Sequence, residues 1–416
     1  MKDKLIHVFI DLAGKTHYVG QLWSHLHKTR SSASFQYDPL WLSNPEKFAL
    51  EPALSLTEGT FHIDSDQSLF GAFGDSAPDR WGRVLMRRAE ARLARAAKKH
   101  HRTLTEMDYL IGVSDEARQG ALRFAEDRNG PFLQPSSSSS IPPLINLHKL
   151  LSATEHFLKD KESEEDLRLL LAPGSSLGGT RPKASIRDKD DHLAIAKFPR
   201  DDDEFSTVLW EAVALTLASK AGLATHQWRL ERIGKKPVLI ARRFDREGLK
   251  RIPFLSAMSM LGAKDNEQHS YLEIVDAIKQ HGISPQQDTI NLFRHMVFNI
   301  LISNTDDHLR NYGFLYEAPN GWKLSPAYDL NPTSTLIKPR ILTTTINFTD
   351  GTASLDLALS VASEFGFTQP MAKKVAKEVG KAVSQWHAVA KSHKISAQEI
   401  ERMSSAFDHQ DLAQAR

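Results

Sequence analysis

Three polar residues in the last third of the sequence have the types and spacing needed for phosphoryl transfer. Asp306 and Asn311 lie five positions apart in ISNTDDHLRNYGFL, and Asp329 follows in LSPAYDLNP. In phosphoryl-transfer enzymes the first Asp of such a set accepts or orients the proton of the attacking hydroxyl, while the Asn and the second Asp hold Mg²⁺ against the nucleotide phosphates. We therefore predict a catalytic role for Asp306 and Mg²⁺ binding by Asn311 and Asp329.

The elements around these residues explain how the chain could bring them together. An apolar helix is predicted over residues 289–301, before the first Asp. Two apolar runs follow, 312–316 and 322–324, and a Pro-Asn-Gly turn joins them, which predicts a β-hairpin. We expect this hairpin to place the three polar residues at one of its ends.

Turn formation is the competing interpretation. Asp and Asn are frequent in turns, where their side chains cap their own backbone. For Asp307 alone, a turn-forming role is favoured. A catalytic role is favoured for four residues taken together, because four converging polar groups would be a costly way to form one turn. These are Asp306, His308, Asn311 and Asp329.

A second group, upstream, has the order that kinases use to hold nucleotide phosphates. Gly178 and Gly179 lie in a Gly/Ser-rich stretch whose backbone N–H groups could approach an anion closely. Lys197 then lies on a predicted strand, and Glu211 is the acidic residue in the middle of the next helix. Kinases position the α- and β-phosphates with a glycine loop, a strand lysine and a helix glutamate in this order. A Gly/Ser-rich turn alone is usually only a turn, and a Walker A ending is absent here.

The sequence RRFDRE allows two interpretations. It follows a predicted strand that, in a kinase, leads into the segment that hydrogen-bonds adenine, which would place Arg242 and Phe244 beside the nucleotide base. The same residues could instead form a structural cluster of ion pairs. The sequence does not separate these two possibilities.

The composition excludes several classes of protein. The 416 residues are 41% hydrophobic and 25% charged, which is ordinary for a globular protein, and their number favours more than one domain. Cysteine is absent, so disulfides and thiolate chemistry are excluded. Apolar runs are too short to cross a membrane and the N-terminus lacks the core of a signal peptide, so we expect a cytoplasmic protein with no membrane contact. A net charge of +2 gives no global case for nucleic-acid binding.

The domain boundary is predicted at a run of five serines flanked by prolines, since such a segment cannot bury a core. We predict an α+β protein in four parts. These are an N-terminal subdomain over 1–127, a Ser/Pro-rich linker over 128–144, a part with the glycine loop and Lys197 over 145–245, and a helical catalytic part over 246–416.

Shorter patterns complete the prediction. In the N-terminal part, strands are expected over 5–11, 16–22, 35–40 and 49–56, with a hairpin turn at Ala13-Gly14-Lys15. A basic amphipathic helix is expected over 81–99, after Pro78. Its basic residues could form a solvated face or a patch that contacts phosphate or a partner. The glycine-rich loop is expected to extend over 172–186.

Taken together, these motifs resemble the HipA family of bacterial serine/threonine kinases, which act as the toxins of type II toxin–antitoxin modules. The resemblance rests on GSSLGGTRPKA, the strand lysine, LIARRFDRE, ISNTDDHLRNYGFL and LSPAYDLNP, with APDRWGR in the N-terminal part. It implies a HipA-like kinase fold, with an N-terminal α/β subdomain and a larger, mostly helical C-terminal subdomain, and with ATP in the cleft.

The resemblance also implies roles for individual residues. Asp306 would be the catalytic base and His308 would support it, while Lys197 would contact the ATP phosphates. Ser176 matches the serine that the family autophosphorylates to switch the kinase off. Ser175 precedes it, so either serine could be the modified one.

The implied partners are a HipB-like helix-turn-helix antitoxin and a protein substrate, for which the family suggests an aminoacyl-tRNA synthetase. DNA would be contacted only indirectly, through the antitoxin. Two other functions remain open from the sequence: a small-molecule or lipid kinase on the same scaffold, and a non-catalytic scaffold for a repressor. The cofactors expected for the leading interpretation are ATP and Mg²⁺.

Overall fold

A computed structural model gives the fold of the chain. It describes residues 4–27, 30–63, 67–134, 141–142, 144–171, 179, 181–317, 319 and 321–416. The described chain divides into two compact units. Unit 1 contains residues 1–200, 240–255 and 315–319, and unit 2 contains residues 201–239, 256–314 and 320–416. Both sides of the predicted linker belong to unit 1, and the predicted four-part division stays a prediction.

The strands lie mostly in the first two thirds of the chain. Their bounds are β1 Lys4–Leu12, β2 Lys15–His27, β3 Arg30–Tyr37, β4 Thr60–His62, β5 Leu122–Ala125, β6 Lys183–Arg187, β7 Leu193–Lys197, β8 Trp228–Ile233, β9 Lys236–Arg242, β10 Arg246–Glu247, β11 Lys250–Arg251, β12 Phe254–Ser256, β13 Gly313–Glu317 and β14 Gly321–Leu324.

Helices dominate the end of the chain, as predicted. They are α1 Pro39–Leu42, α2 Gly71–Asp75, α3 Arg80–Ala96, α4 Glu106–Gly112, α5 Leu147–Leu158, α6 Glu164–Leu171, α7 Thr207–Lys220, α8 Ala257–Met260, α9 Tyr271–His281, α10 Pro285–Leu301, α11 Leu355–Ser360, α12 Gln369–Val383, α13 Trp386–Ser392, α14 Ala397–Met403 and α15 Gln410–Gln414. Short 3₁₀ turns cover Leu144–Asn146, Leu309–Asn311, Ala362–Phe365 and Ser404–Ala406.

Unit 1 contains a five-stranded sheet with the strand order β4-β3-β2-β1-β5. The predicted hairpin at its start is confirmed, since β1 and β2 pair antiparallel and Ala13 and Gly14 take the positive φ angles that such a tight turn needs. Alternate residues of β1 are buried, including Ile6, Val8 and Ile10. This alternation is the pattern of a sheet with one face on the core.

The strand predicted over 49–56 is wrong, and the extra strand is instead β4. Residues 50–56 form turns that close over the core with buried polar contacts. The Tyr37 hydroxyl donates to Leu54 O at 2.8 Å, and the Glu51 carboxylate accepts from the Ala72 N–H at 2.5 Å. These long-range contacts fix the backbone of this apolar run more strongly than its strand propensity does.

The predicted extent of the glycine-rich loop also needs correction. Lys183–Ile186, assigned to the loop from the sequence, belong to β6, which pairs antiparallel with β7 from Lys183↔Lys197 to Arg187↔Leu193. Within the loop only Gly179, Arg181 and Pro182 are described. Ser176 and Gly178 lie outside the described residues.

Three residues of the RRFDRE sequence, Arg243, Asp245 and Arg246, form an ion-pair cluster that is buried in unit 1. The Asp245 carboxylate accepts from Arg243 Nε at 2.8 Å, from Arg246 Nη1 at 2.8 Å and from the Gly120 N–H at 2.8 Å. The two guanidinium groups also donate to backbone carbonyls of residues 116–120. Burial acts to raise the pKa of Asp245, but the two arginines hold it well below its usual value.

Unit 2 is built around helices that bury apolar side chains. In α7, Val208, Trp210 and Leu215 are buried, and the helix ends where Gly222 takes a φ of +76°. This confirms the predicted C-terminal glycine, since only glycine takes that conformation readily. α10 packs against α9 and α12. Among the described residues, the helices are all too short or too polar to span a bilayer.

We expect Asp245→Asn to destabilise the protein by roughly 3–5 kcal/mol, because it leaves two buried arginines without a counter-charge. The measurement is the free energy of unfolding in urea. Because the folded-state pKa of this group is depressed, its contribution is present at neutral pH and is lost only as the pH falls through that low value. Glu164→Gln is the control, since it breaks an exposed pair with Arg168 and should cost about 0.5 kcal/mol or less. Equal effects of the two variants would contradict the importance of the cluster.

Candidate active site

The candidate catalytic loop follows α10 and separates two adjacent aspartates. The loop begins at Ser303, whose φ of +52° is unusual for a residue with a side chain. Three residues later, Asp306 is exposed, whereas its neighbour Asp307 is buried. Two residues of the same type therefore have opposite environments, and only the first is open to a reactant.

Asp307 fixes the loop to distant parts of unit 2. Its Oδ1 accepts from the Thr343 N–H at 2.7 Å, and its Oδ2 accepts from the Tyr271 hydroxyl at 2.7 Å. The Thr344 hydroxyl donates to the Asp307 backbone carbonyl at 2.6 Å. These contacts come from α9 and from the chain more than thirty residues after the loop. Asp307 thus braces the loop against remote segments.

The network behind Asp307 is a chain of buried hydroxyl and amide groups. The Tyr271 and Tyr312 hydroxyls are 2.5 Å apart, and Asn299 Nδ2 donates to the Tyr312 hydroxyl at 2.9 Å. Burial raises the pKa of Asp307 to about 7, and the hydrogen bonds to its carboxylate only partly oppose that rise. Burial and the nearby carboxylate also raise the pKa of both tyrosines well above the usual value.

Asn311 is attached directly to the backbone of the predicted catalytic base. Its Nδ2 donates to the Asp306 carbonyl at 2.8 Å, and its N–H donates to the His308 carbonyl at 2.8 Å. The 3₁₀ turn Leu309–Asn311 makes this return possible. Because Asn311 Nδ2 is hydrogen-bonded to the Asp306 carbonyl, Asn311 Oδ1 is the side-chain atom that could bind a further ligand.

Asp329 lies on a segment that runs alongside the catalytic loop. The Tyr328 hydroxyl donates to the Arg310 carbonyl at 2.7 Å, and the Thr333 N–H donates to the Ser303 carbonyl at 3.1 Å. Asp329 lies between these two attachments with a φ of +57°, a rare backbone conformation for a residue with a side chain. The hairpin β13–β14 precedes it and confirms the predicted hairpin, with the Ser325 N–H donating to the Gly313 carbonyl at 2.8 Å.

Oxygen donors near these residues fit a hard cation. Asn331 Nδ2 donates to Asp329 Oδ1 at 3.3 Å, while Asn331 Oδ1, Asn304 Oδ1 and Thr305 Oγ1 are buried with no hydrogen-bond partner among the described residues. Among the described residues, no group of three or more His, Asp or Glu side chains lies close enough together to form an all-protein metal cage. Mg²⁺ seldom uses such a cage and binds one or two carboxylates together with phosphates. The donor set of Asp329 and Asn311 fits that mode.

His308 precedes the 3₁₀ turn and is half-buried. Its Nδ1 is buried and has no hydrogen-bond partner in the portion that the structure describes. Glu211 is buried within α7 of unit 2. Unit 2 thus holds Asp306, His308, Asn311, Asp329 and Glu211, and it brings the first four together on one loop system.

Unit 1 holds the other predicted residues. Lys197 is the last residue of β7, and its cross-strand partner is Lys183. The Lys183 ammonium is buried against the Asp79 carboxylate, 2.8 Å away. Trp81 Nε1 donates to the Lys183 carbonyl at 3.0 Å, and the Trp81 N–H donates to the Gly179 carbonyl at 3.3 Å. The start of α3 therefore holds the end of the glycine-rich loop.

Arg242 ends β9, and the Phe244 ring lies 6.3 Å from that of Phe254 within unit 1. Arg243 and Asp245 alternate with them and are buried in the ion-pair cluster. The cluster thus takes Arg243, Asp245 and Arg246, while contact of Arg242 and Phe244 with a nucleotide stays a prediction.

Two features of the site were missed from the sequence. The Asp307 network depends on Tyr271 and Thr343, each 36 residues away, and no local pattern indicates it. The Asp79–Lys183 pair had a weak signal, because APDRWGR and TRPKA are both motifs of the resemblance. Because Asp79 and Lys183 have opposite charges, a contact between them could have been proposed from the sequence.

Two family models match the chain. The HipA N-terminal domain matches residues 11–125, and the HipA-like C-terminal domain matches residues 175–386, just over half of the chain. The chain therefore belongs to the HipA family. The predicted linker falls between the two matched regions.

Relatives and solved structures agree with this assignment. A Haemophilus influenzae protein named "Putative kinase" is 39% identical over 66 residues, covering 16% of this chain and 19% of the relative. A Sinorhizobium fredii protein named "Putative kinase Y4mE" is 25% identical over 147 residues, 33% of each chain. The chain thus matches a third or less of each relative's length.

Among solved structures, the chain is similar to HipA in the complex of the Shewanella oneidensis toxin–antitoxin system HipA, HipB and its operator DNA. The TM-score is 0.64, with 14% identity, and the match covers 98% of this chain and 96% of that one. This likeness shows that the fold is that of HipA, as the resemblance implied.

We expect Asp307→Asn to change how stability depends on pH. Because burial raises the folded-state pKa to about 7 while the unfolded-state pKa is about 4, the wild type should lose stability as the pH rises from about 4 to about 7 and then level off, whereas the neutral amide should show no such loss. The measurement is the free energy of unfolding in urea at several pH values. Asp350→Asn is the control: its carboxyl is exposed and has a lowered pKa, so that variant should follow the wild type. Parallel curves for Asp307→Asn and wild type would contradict the prediction.

Proposed function

We propose that this HipA-family protein is an ATP- and Mg²⁺-dependent kinase that phosphorylates serine or threonine in a protein and acts as the toxin of a type II toxin–antitoxin module. The observation that carries the proposal is the loop system of unit 2. It presents an exposed Asp306, ties Asn311 to that residue's carbonyl, and attaches the Asp329 segment alongside. A general base next to a two-residue Mg²⁺ site is what phosphoryl transfer needs.

Each residue has a distinct task in this proposal. The Asp306 carboxylate accepts or orients the proton of the attacking hydroxyl. Asn311 Oδ1 and the Asp329 carboxylate would hold Mg²⁺, which neutralises charge on the transferred phosphoryl group. His308 would support the base through its ring. The brace at Asp307 keeps the carboxylate of its neighbour at a fixed position, which matters because small displacements of catalytic groups reduce rates strongly.

In unit 1, Lys197 would contact the nucleotide phosphates, and the Arg242 and Phe244 segment would contact the base. In unit 2, Glu211 would take the role of the helix glutamate of kinases. Autophosphorylation at Ser176, or at its neighbour Ser175, would add negative charge beside the phosphates and thereby disfavour ATP binding.

The proposed partners follow from the family. The Shewanella protein forms a complex with HipB and operator DNA, which supports a HipB-like helix-turn-helix antitoxin as partner, with DNA contacted through it. A protein substrate such as an aminoacyl-tRNA synthetase is part of the same proposal.

We expect Asp306→Asn to lower phosphoryl transfer from labelled ATP by roughly 10²–10⁴-fold, since the base is lost while the fold is kept.

Asp329→Asn should raise the Mg²⁺ concentration that the reaction needs, because one of the cation's ligands loses its charge. Mass spectrometry of the labelled wild type would locate any phosphate on the two serines.

Asp276→Asn, an exposed change on α9, is the matched control and should react as the wild type does. Overproduced wild type should arrest growth, and Asp306→Asn should not. Full transfer by Asp306→Asn would refute its role as base. Equal toxicity of active and inactive proteins would refute a catalytic toxin.

We expect Lys197→Ala to raise the dissociation constant for ATP by about 10–150-fold, which corresponds to the 1.5–3 kcal/mol of a charge-assisted contact. Calorimetric titration with ATP measures it, and the melting temperature should change little. Lys189→Ala, in the exposed turn between β6 and β7, is the control. Unchanged ATP affinity with a large drop in melting temperature would show that Lys197 is structural.

A further inference from the structure

Helix α3 carries two groups of cations, and the first group has partners within unit 1. The Arg83 guanidinium donates to the Glu106 carboxylate at 2.7 Å, and the Arg88 guanidinium donates to the Glu162 carboxylate at 3.1 Å. Arg92 Nη1 donates to the Glu162 carbonyl at 2.6 Å. Contacts made on folding therefore account for these three arginines.

The second group lies on the outer side of the helix. Arg80, Arg87 and Arg95 are exposed, and Lys98, also exposed, follows the helix directly. None of these four side chains forms an ion pair with a described residue. With about 3.6 residues per turn, the three arginines lie within an arc of about 80°, and at about 1.5 Å per residue they cover about 22 Å of the helix. We call the four residues the basic row.

The stability of the fold does not explain the basic row. Arg80 is the first residue of α3, where a cation opposes the helix dipole. Lys98 has a φ of +53°, in the left-handed region that glycine takes without strain, as Gly222 does at the end of α7 with a φ of +76°. Both residue types reduce the stability of the free protein at their positions. Residues that break local rules in this way are expected at functional sites.

The chemistry of the row fits the phosphates of a polyanion better than it fits a protein surface. Protein interfaces bury an apolar or aromatic centre. Leu93, the large apolar residue that α3 exposes, lies at least about 120° around the helix from each arginine of the row. Phosphate contacts need only cations, and the guanidinium group of arginine matches phosphate with two N–H groups. Duplex DNA carries one charge per roughly 1.7 Å of its axis, so a row of this length would meet several phosphates.

We propose that the basic row contacts the phosphate backbone of duplex DNA directly and without reading its sequence. The choice of DNA among polyanions rests on the proposed function, which already brings DNA to this chain through an antitoxin. The row adds a contact made by the chain itself. Its arginines would fix the orientation of the chain on the duplex, because phosphate contacts position a protein without specifying bases. The proposed catalytic residues and Lys197 are not part of the row, so DNA binding and ATP binding are separable.

The test measures binding of the full chain, without an antitoxin, to a DNA duplex of about 24 base pairs of arbitrary sequence, by fluorescence anisotropy between about 50 and about 200 mM salt. Each phosphate contact adds about 0.9 to the slope of log K against log salt concentration. The triple variant Arg87→Gln/Arg95→Gln/Lys98→Gln should therefore reduce the slope by about 2.7 and raise Kd at least about tenfold at the lowest salt concentration. Arg87→Lys/Arg95→Lys/Lys98→Arg keeps the charges and should keep the slope.

The matched control is Lys189→Gln/Lys235→Gln/Lys323→Gln, which removes the same charge from exposed positions outside α3. This control should keep the slope of the wild type. Lys98→Gly separates binding from folding. Relief of the left-handed conformation should raise the melting temperature, while the slope falls by about 0.9 because one phosphate contact is lost.

Equal slopes for the wild type and the triple variant, or an equal loss in the control, would overturn the basic row. Absence of DNA binding by the wild type, or binding of duplex RNA or poly-glutamate in place of DNA, would also overturn it. Phosphoryl transfer from ATP is measured on the same proteins, and the triple variant should transfer as the wild type does. Transfer without DNA binding would overturn the row alone, whereas DNA binding that depends on the row, without transfer, would overturn the proposed kinase activity alone.

Discussion

The buried carboxylate of Asp307 is the contact on which the proposed catalytic loop depends. It collects donors from Tyr271 and Thr343, which come from opposite directions along the chain. Burying a carboxylate is costly, and these donors recover only part of that cost, as its raised pKa shows. The fold retains an unfavourable group because no apolar residue could hold these backbone and hydroxyl donors together. The consequence is a fixed position for the exposed Asp306 beside it.

This pair of neighbours also shows how far sequence reasoning reaches. The spacing of Asp306, Asn311 and Asp329 indicated a site, and the hairpin between the last two was predicted because alternation and turn residues are local signals. The sequence could not predict that Asp307 is buried while the adjacent Asp306 is exposed. Burial of Asp307 depends on residues 36 positions away in both directions, and two identical residue types carry no signal of which will be enclosed.

Tertiary contacts explain the other differences. The run 49–56 has strand propensity, yet long-range polar contacts at Glu51 and Leu54 hold it as turns. In RRFDRE, the structure shows the ion-pair cluster, and contact of Arg242 and Phe244 with a nucleotide base stays a prediction. Arg243, Asp245 and Arg246 are buried as ions, whereas Arg242 and Phe244 are half-buried. The partners of that cluster are backbone groups near Gly120, which no charge pattern could reveal.

Ser303 ties the start of the candidate catalytic loop to remote segments of unit 2. It begins the catalytic loop in a left-handed conformation, a strained state that persists only where the surroundings enforce it. Its hydroxyl donates to Ala406 and accepts from Arg340, and its carbonyl accepts from Thr333. Segments up to about a hundred residues after the loop therefore hold the residue at which it begins, three positions before Asp306. The position of the proposed base thus depends on tertiary contacts of its backbone and not only on the local sequence.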